Sequence, residues 1–386
     1  MASTLASCDN WEALPWRGAV DAPLRDAWDY LIALDTDAPL YRHCRWFELA
    51  CESGAIIPWG IVIVRAGGRP IGLFPLRKRT PWTWETITYF SEGEPQIVLD
   101  RKQEREAWDG LLGWLRKQRG AAMLAIGSSA DQQQTAHIRR ACEAEGLYLH
   151  KKIERLPMVW SRLPESWEAF LATSAPSARK DILRAERMLY RDYPEVTMEH
   201  LTDEPAALEA LDEMIAMYRQ RWCHQVGGCC FDDPRNVTFY RAAIRWALRQ
   251  GAATVSRLRL GEETVVVTTM FHVPGHRTLY EQFVGRNHQV MPNRYSPGLV
   301  ECNHTTRWAI ARGFRRVNLG LGSSHYKMMY AGEESPYYEL VVARSPRSQA
   351  ILSRLDRLLY LAKRLPLHMQ YHLRHLLHPD RPTQLF

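Results

Sequence analysis

The sequence predicts an α+β protein with two similar domains, each a mixed β-sheet flanked by helices, followed by a basic helical tail. An apolar hairpin with a glycine turn appears twice, at 59–76 and at 254–272. Each hairpin is followed by a strand, a helix and another strand, so the order of elements repeats with little sequence identity. The 386 residues are enough for two domains of this kind.

In the first half, the residues after the hairpin predict a strand at 86–90, a helix at 103–118 and a strand at 121–126. A helical segment then separates the halves. A short helix begins near Pro164, and apolar residues recur at helical spacing in three longer stretches, at 177–190, 205–221 and 236–250.

These patterns predict domain bounds at 1–160 and 161–345, with a tail at 346–386. Leucines of the tail fall on one side of a helix at 349–365. Its mixture of basic and apolar residues suits either packing on its own domain or contact with a partner or a membrane surface.

The most informative stretch is 280–330. A strand at 278–284 is followed by Ser296-Pro297-Gly298, where Ser296 can cap a helix and Pro297 fits its first position. That helix ends at Gly313, and a strand at 315–319 leads into a glycine-rich loop ending in Tyr326-Lys327. A helix N-terminus beside Arg294 suits phosphate, so we expect an acyl donor to bind here.

Composition limits the cellular setting and the partners. No apolar run approaches the roughly 20 residues that span a bilayer, and the N-terminus lacks a signal-peptide pattern, so a cytoplasmic protein is expected. The eight cysteines are scattered and predict no disulfide framework. A net charge of +7 suits an anionic partner such as coenzyme A, a phosphorylated substrate, tRNA or an acidic membrane surface. No DNA-binding role is expected.

Several stretches of the chain are similar to the GNAT-fold acyltransferases. More closely, the second half resembles the acetyltransferase-type domain of bacterial cellulose-biosynthesis-protein-like enzymes, relatives of the Fem-type aminoacyltransferases. The resemblance rests on the following segments: 177–184, Arg221-Trp222 with Phe231 and Phe239, Ser296-Pro297-Gly298, Asn318-Leu319-Gly320 with Gly322, and Tyr326-Lys327. It implies two tandem GNAT-like domains with the donor site in the second. The sequence departs from the family pattern at Asn318 and at His325, and it lacks the usual glycine-rich pyrophosphate loop.

Direct acyl transfer to an amine needs a base, a polarised carbonyl and an acid for the leaving thiolate. Glu281 is the expected base, with His325 as an alternative, and Tyr326 is the expected acid. The alternative for each is an ordinary structural or surface role.

The remaining candidate residues would bind the two substrates. We expect the donor to contact Arg294, Ser296, Gly298, Gly320, Gly322 and Lys327. Arg179 and Arg184, on one helix, would bind an anionic acceptor. Cys223-His224 with Cys229-Cys230 does not have the spacing of a zinc site, so no metal is expected.

Three functions remain open from the sequence. The leading expectation is an N-acyltransferase that uses acetyl-CoA or another acyl-CoA and a sugar, peptide or small-molecule amine. The second uses aminoacyl-tRNA as the donor, and the third is a non-catalytic binding protein built on a degenerate GNAT pair.

Overall fold

The computed structural model describes residues 10–35, 38–89, 95–118, 122–129, 131–153, 157–222, 229–272, 277–322, 324–330, 332–351 and 354. The described residues fall into two compact units, one within Met1–Glu154 and Tyr337–Leu365 and the other within Arg155–Pro336. Each unit contains a mixed sheet flanked by helices, which confirms the predicted fold class. The predicted tail helix is seen at 346–351, and most of the tail lies outside the described residues.

The first unit contains eight strands in the order β1-β2-β3-β4-β6-β15-β7, with β5 paired to β3. The strands are β1 Trp11–Pro15, β2 Gly60–Ala66, β3 Arg69–Thr80, β4 Thr83–Thr86, β5 Val98–Leu99, β6 Met123–Ser129, β7 Tyr148–Ile153 and β15 Tyr338–Ala343. The helices are α1 Ala22–Leu34, α2 Cys44–Glu52, α3 Glu104–Lys117 and α4 Gln132–Glu145. Strands β4 and β6 are parallel, and α3 forms the crossover between them.

The second unit contains seven strands in the order β14-β8-β13-β12-β11-β10-β9. The strands are β8 Met158–Arg162, β9 Val196–Leu201, β10 Ala253–Leu260, β11 Glu263–His272, β12 Thr278–Arg286, β13 Arg316–Leu321 and β14 Glu333–Ser335. The helices are α5 Trp167–Thr173, α6 Pro176–Asp192, α7 Glu204–Trp222, α8 Pro234–Arg249, α9 Pro297–Ala311 and α10 His325–Met329. Here β12 and β13 are the parallel pair, and α9 is the crossover.

Sheet membership differs from the expected domain bounds at two strands. Strand β8 follows β7 in the chain but pairs in the second sheet, and β15 follows β14 but lies between β6 and β7 in the first. The expected bounds divided β8 after residue 160 and assigned β15 to the second domain. Pairing between strands that are far apart in sequence leaves no local signal, so neither assignment could be made from composition.

Both predicted hairpins and both strand–helix–strand segments are present. The stretch expected as a loop ending in Tyr326-Lys327 differs, because His325–Met329 forms the short helix α10. None of the described helices is long and apolar enough to cross a membrane.

Candidate functional site

The central feature of the second unit is a gap between two parallel strands. Strands β12 and β13 pair only where Thr278–Tyr280 faces Arg316–Asn318, yet β12 continues to Arg286 and β13 to Leu321. Gln282 has no partner in β11, since Met270 faces Glu281 and the next residue, Thr269, faces Phe283. A bulge of this kind bends a strand. Strand β12 therefore turns away from β13, and the gap opens from Glu281 onward.

The first turn of α9 lies after the loop that follows β12. Ser296 adopts the left-handed conformation (φ 48°, ψ 52°), and its carbonyl accepts hydrogen bonds from Leu299 N at 2.8 Å and Val300 N at 3.2 Å. The expected side-chain cap is not formed, but Pro297 does occupy the start of the helix. A side-chain carbon at Gly298 would meet no atom of a neighbouring element within 4 Å. A non-glycine residue in this conformation is strained, and such residues often occur at functional sites.

Arg294 lies on the surface of the same loop. Its guanidinium group is 4.8 Å from the ring centre of Tyr295, and its Nη2 donates to the Tyr295 hydroxyl at 3.1 Å. That hydroxyl donates to Asp192 Oδ2 at 3.0 Å, and the hydrogen bond from Arg294 to Tyr295 raises the pKa of Arg294. The positive charge is therefore held beside the start of α9.

A cluster of three basic residues at the end of β12 was missed in the sequence. Burial and the nearby charge of Arg221 lower the pKa of the half-buried Arg286. Burial and then the charge of Arg286 lower the pKa of His288, and Arg221 adds to this effect. The buried Nε of Arg286 has no hydrogen-bond partner among the described residues. Like charges gathered in this way attract anions, and we call these three residues the basic cluster.

One signal for the basic cluster was present in the sequence. Arg286 and His288 come shortly after the strand predicted at 278–284 and before the helix that begins at Pro297. Arg221 is far away in the sequence, at the end of α7, and only the fold brings it to this strand.

Glu281, Tyr326 and Cys302 lie near one another where β12 and β13 part. Burial and then the charge of Glu281 raise the pKa of Tyr326, so its phenol stays protonated at neutral pH. The same two causes raise the pKa of the buried Cys302 of α9. The charge of Glu281 thus acts on both Tyr326 and Cys302.

The glycine N–H groups expected to contact the donor are already engaged. Gly320 and Gly322 both have positive φ, at 75° and 88°. Gly320 N donates to Asn318 Oδ1 at 2.8 Å, and Gly322 N donates to Pro157 O at 2.8 Å. These glycines therefore shape the end of β13, and their N–H groups contribute no open oxyanion site in this structure.

The remaining predicted residues of α10 are close to the end of β13. Lys327 Nζ donates to Leu321 O at 2.9 Å, which closes the connection between β13 and α10. His325, the first residue of α10, is exposed. Both residues are next to Tyr326 in the chain, but the Lys327 side chain is hydrogen-bonded to the backbone whereas the His325 side chain is exposed to solvent.

The two arginines expected to bind the acceptor lie on α6, which packs against α10. Arg179 is half-buried, and its Nη2 donates to Ala172 O at 3.4 Å. The Nε of Arg179 is buried without a hydrogen-bond partner in the described part of the chain. Arg184 is exposed to solvent.

A buried polar seam fixes these helices relative to one another within the second unit. Asn303 Nδ2 donates to Ile182 O at 3.2 Å, which joins α9 to α6. Tyr330, just after α10, hydrogen-bonds Asn303 and donates to Leu299 O at 3.1 Å. Because all of these groups are satisfied, the seam holds α10 against the first turns of α9.

Among the described residues, no group of three or more His, Cys, Asp or Glu side chains is arranged to hold a metal. Cys223 and His224, considered above as ligands, lie outside the described residues, as does the neighbouring Gly227-Gly228 loop. Cys229 Sγ instead accepts a hydrogen bond from Phe231 N at 3.4 Å.

Comparison with known proteins identifies the region that holds this site. Residues 176–328, from α6 into α10, match the family model described as an acetyltransferase (GNAT) domain. A search of the curated proteins finds no match.

Three solved structures share the fold over most of the chain. The C-terminal domain of a protein named as a lysylphosphatidylglycerol synthetase, from Agrobacterium fabrum, has a TM-score of 0.54 and 11% identity, covering 86% of this chain and 95% of its own. FemX has a TM-score of 0.55 and 12% identity, covering 85% and 96%. L-PGS from Bacillus licheniformis has a TM-score of 0.52 and 10% identity, covering 87% and 96%. Identities this low show the fold alone.

Proposed function

We propose that this protein, whose residues 176–328 form the GNAT domain that the sequence resemblance indicated, is an N-acyltransferase. It would move an acetyl or other acyl group from acyl-CoA directly to an amine. The observation that supports this best is the gap between β12 and β13, which has the basic cluster at its open end and Glu281 with Tyr326 where the strands part.

The charges of the site suit a donor that carries phosphate. Arg286, Arg221 and His288 lie at the end of β12, and the start of α9 adds a partial positive charge next to Arg294. In this arrangement the phosphates bind at the loop 287–296, and the acyl chain follows the gap toward Glu281. Ser296 and Gly298 then form the turn that the phosphates approach.

The chemistry follows from the two groups at the closed end of the gap. The amine nitrogen of the acceptor attacks the thioester carbonyl carbon, and Glu281 takes the proton that the nitrogen loses. The carbon–sulfur bond then breaks, and the Tyr326 hydroxyl gives its proton to the thiolate. A phenol with a raised pKa is protonated before this step, as a general acid must be. His325 is the alternative base, at an exposed position on α10.

The acceptor would approach along α6. Arg179 has a buried N–H without a hydrogen-bond partner in the described residues, and the exposed Arg184 lies on the same helix. These charges favour an acceptor that carries an anionic group as well as its amine, such as a sugar or peptide derivative.

A second donor, aminoacyl-tRNA, is favoured by one observation. Helix α6 exposes Lys180, Arg184 and Arg187 next to the site, a basic face that suits a nucleic-acid backbone. FemX, the lysylphosphatidylglycerol synthetase domain and L-PGS share the fold, and such a donor would occupy the same gap with its aminoacyl end. A non-catalytic role is the third alternative.

Isothermal titration of the full chain with acetyl-CoA, longer acyl-CoAs and CoA tests the proposal. We expect saturable binding of acyl-CoA that Arg286→Ala weakens. Absence of binding of any acyl-CoA at millimolar concentration would overturn it. Transfer that needs aminoacyl-tRNA, and that is lost with RNase or high salt, would select the second donor.

The catalytic assignment needs its own variants. Tyr326→Phe and Glu281→Gln should each reduce turnover strongly while acyl-CoA still binds. Cys302→Ala should retain transfer, because a buried thiol with a raised pKa is a poor nucleophile. Unchanged biological activity in both Tyr326→Phe and Glu281→Gln would favour the non-catalytic alternative.

A further inference from the structure

One end of the first sheet carries exposed apolar side chains that do not pack in its core. Ile57 precedes β2 and is 74% exposed, and Trp82 lies at the turn between β3 and β4 and is 64% exposed. Both are among the most exposed large hydrophobic residues described. Neither contributes to the acyl-transfer site, which lies in the second unit.

The strand register places these two residues at the same end of the sheet. Gly60 at the start of β2 faces Leu76 of β3, and Trp59 N donates to Leu76 O at 2.8 Å, so Ile57 lies beyond that pair. Thr80 of β3 faces Thr83 of β4, so Trp82 lies beyond the same end.

Basic residues lie at the same end of the sheet as these apolar residues. Lys78 and Arg79 at the end of β3 are exposed, and so is Arg17. Arg17 belongs to the same end of the sheet, because the backbone N of the preceding residue, Trp16, donates to Trp59 O. The neighbouring carboxylates are neutralised by arginines: Glu85 pairs with Arg77 at 3.2 Å and Glu52 pairs with Arg45 at 2.6 Å. We call Arg17, Ile57, Lys78, Arg79 and Trp82 the cationic tip.

We propose that the cationic tip docks on an anionic membrane surface. Tryptophan favours the boundary between headgroups and acyl chains, and an aliphatic tip such as Ile57 inserts beside it. Lysine and arginine at the same level attract anionic headgroups. Nucleic acid fits less well, because an exposed isoleucine offers a base neither a stacking ring nor a hydrogen bond. This surface is independent of the proposed acyl transfer.

Vesicle flotation of the full chain tests this docking. We expect binding to phosphatidylcholine vesicles that contain phosphatidylglycerol, little binding to phosphatidylcholine alone, and weaker binding as salt rises. Lys78→Glu with Arg79→Glu should weaken binding on the order of tenfold or more. Ile57→Ser with Trp82→Ser should weaken it as well. Circular dichroism checks that each variant is folded.

The control reverses two charges at the opposite end of the same sheet. Arg69 lies at the β2–β3 turn and Lys102 follows β5, and both are exposed. Arg69→Glu with Lys102→Glu should leave vesicle binding unchanged. The proposal is overturned if the full chain does not bind anionic vesicles, if the tip variants bind as well as the parent, or if the control loses as much. Loss of tRNA binding by the tip variants with unchanged vesicle binding would assign the surface to RNA instead.

Discussion

The crossover helices of the two units begin in opposite chemical environments although the architecture around them is the same. In each unit, a helix connects two parallel strands that pair over only three residues, at Thr83–Glu85 with Met123–Ala125 and at Thr278–Tyr280 with Arg316–Asn318. Shared architecture therefore does not distinguish a donor site from a structural domain. The distinction comes from the residues at the start of each helix.

The first turn of α3 is acidic. It contains Glu104 and Glu106, and the buried Glu104 accepts a hydrogen bond from Trp108 Nε1 at 3.2 Å and pairs with Arg101 at 3.4 Å. Carboxylates already occupy the positive end of this helix and would repel phosphate. The first turn of α9 has no acidic residue and is preceded by Arg294.

The strand ends differ as well. In the first unit, the ring of Trp84 on β4 packs 4.1 Å from Trp59 and 5.6 Å from Trp114, between ring centres. In the second unit, Leu279 takes the position of Trp84 in the parallel pairing, and β12 carries Glu281 just beyond that pairing and leads to Arg286. Aromatic packing in one unit and charge in the other support a donor site in the second unit alone.

The largest expected effect is on catalysis by Glu281. Glu281→Gln removes the proposed base and should lower kcat by about a hundredfold or more, with little change in acyl-CoA affinity. The change in kcat is measured by steady-state kinetics, with an acceptor amine that is first identified by screening.

Glu85→Gln is the matched control in the first unit, because Glu85 ends the equivalent three-residue pairing. It should leave kcat unchanged. If kcat falls equally in Glu281→Gln and Glu85→Gln, or if Glu281→Gln keeps full activity, the proposed difference in function between the two units is wrong.

The next effect concerns the basic cluster. Arg286→Ala should raise the KM for acyl-CoA by roughly tenfold to a hundredfold, since a charged hydrogen bond contributes about 1.5–3 kcal/mol. Turnover at saturating donor should change little. Arg162→Ala is the control, because this arginine is 81% exposed on β8 and pairs with Glu333. If Arg286→Ala and Arg162→Ala have the same KM for acyl-CoA, the phosphates of the donor do not bind at the basic cluster.

The comparison also shows what could be predicted from sequence. The repeated order of elements and the proline-started helix α9 carry local signals, and the structure contains both. The pairing of β8 and β15 in their sheets, the bulge at Gln282 and the approach of Arg221 to Arg286 depend on contacts that are distant in sequence. The start of α9 as a donor site was therefore predicted from the sequence and stays a prediction, while Arg221, Arg286 and His288 were not predicted.

A smaller effect is expected on stability at Ser296. Its left-handed conformation should cost about 1 kcal/mol relative to glycine, so Ser296→Gly should raise the free energy of unfolding by about that amount. Ser296→Ala should change little, because the side chain forms no cap. Urea denaturation measures both. A destabilising Ser296→Gly would show that the hydroxyl makes an important contact.

The smallest effect is a pH dependence at Glu301, which is buried in α9. Its carboxylate accepts hydrogen bonds from Ser256 Oγ at 2.5 Å and Thr305 Oγ1 at 2.7 Å, and burial raises its pKa. The folded state therefore holds the proton more tightly than the unfolded state. Its contribution to stability is fullest below the unfolded pKa and falls as pH rises toward the folded pKa.

Glu301→Gln removes that dependence while it keeps an oxygen that accepts both hydrogen bonds. The Tm of the variant relative to the parent should therefore increase between pH 5 and pH 8. A difference in Tm that is constant over this range would show that the carboxyl does not titrate there.

The central claim is that only the second unit binds the donor. Hydrogen–deuterium exchange with and without saturating acetyl-CoA tests it directly, because both crossover helices are followed in one experiment. We predict slower exchange at 281–300 and at 319–330, with no change at 83–111. Protection of the first unit, or of neither unit when acetyl-CoA is present at millimolar concentration, would contradict the claim.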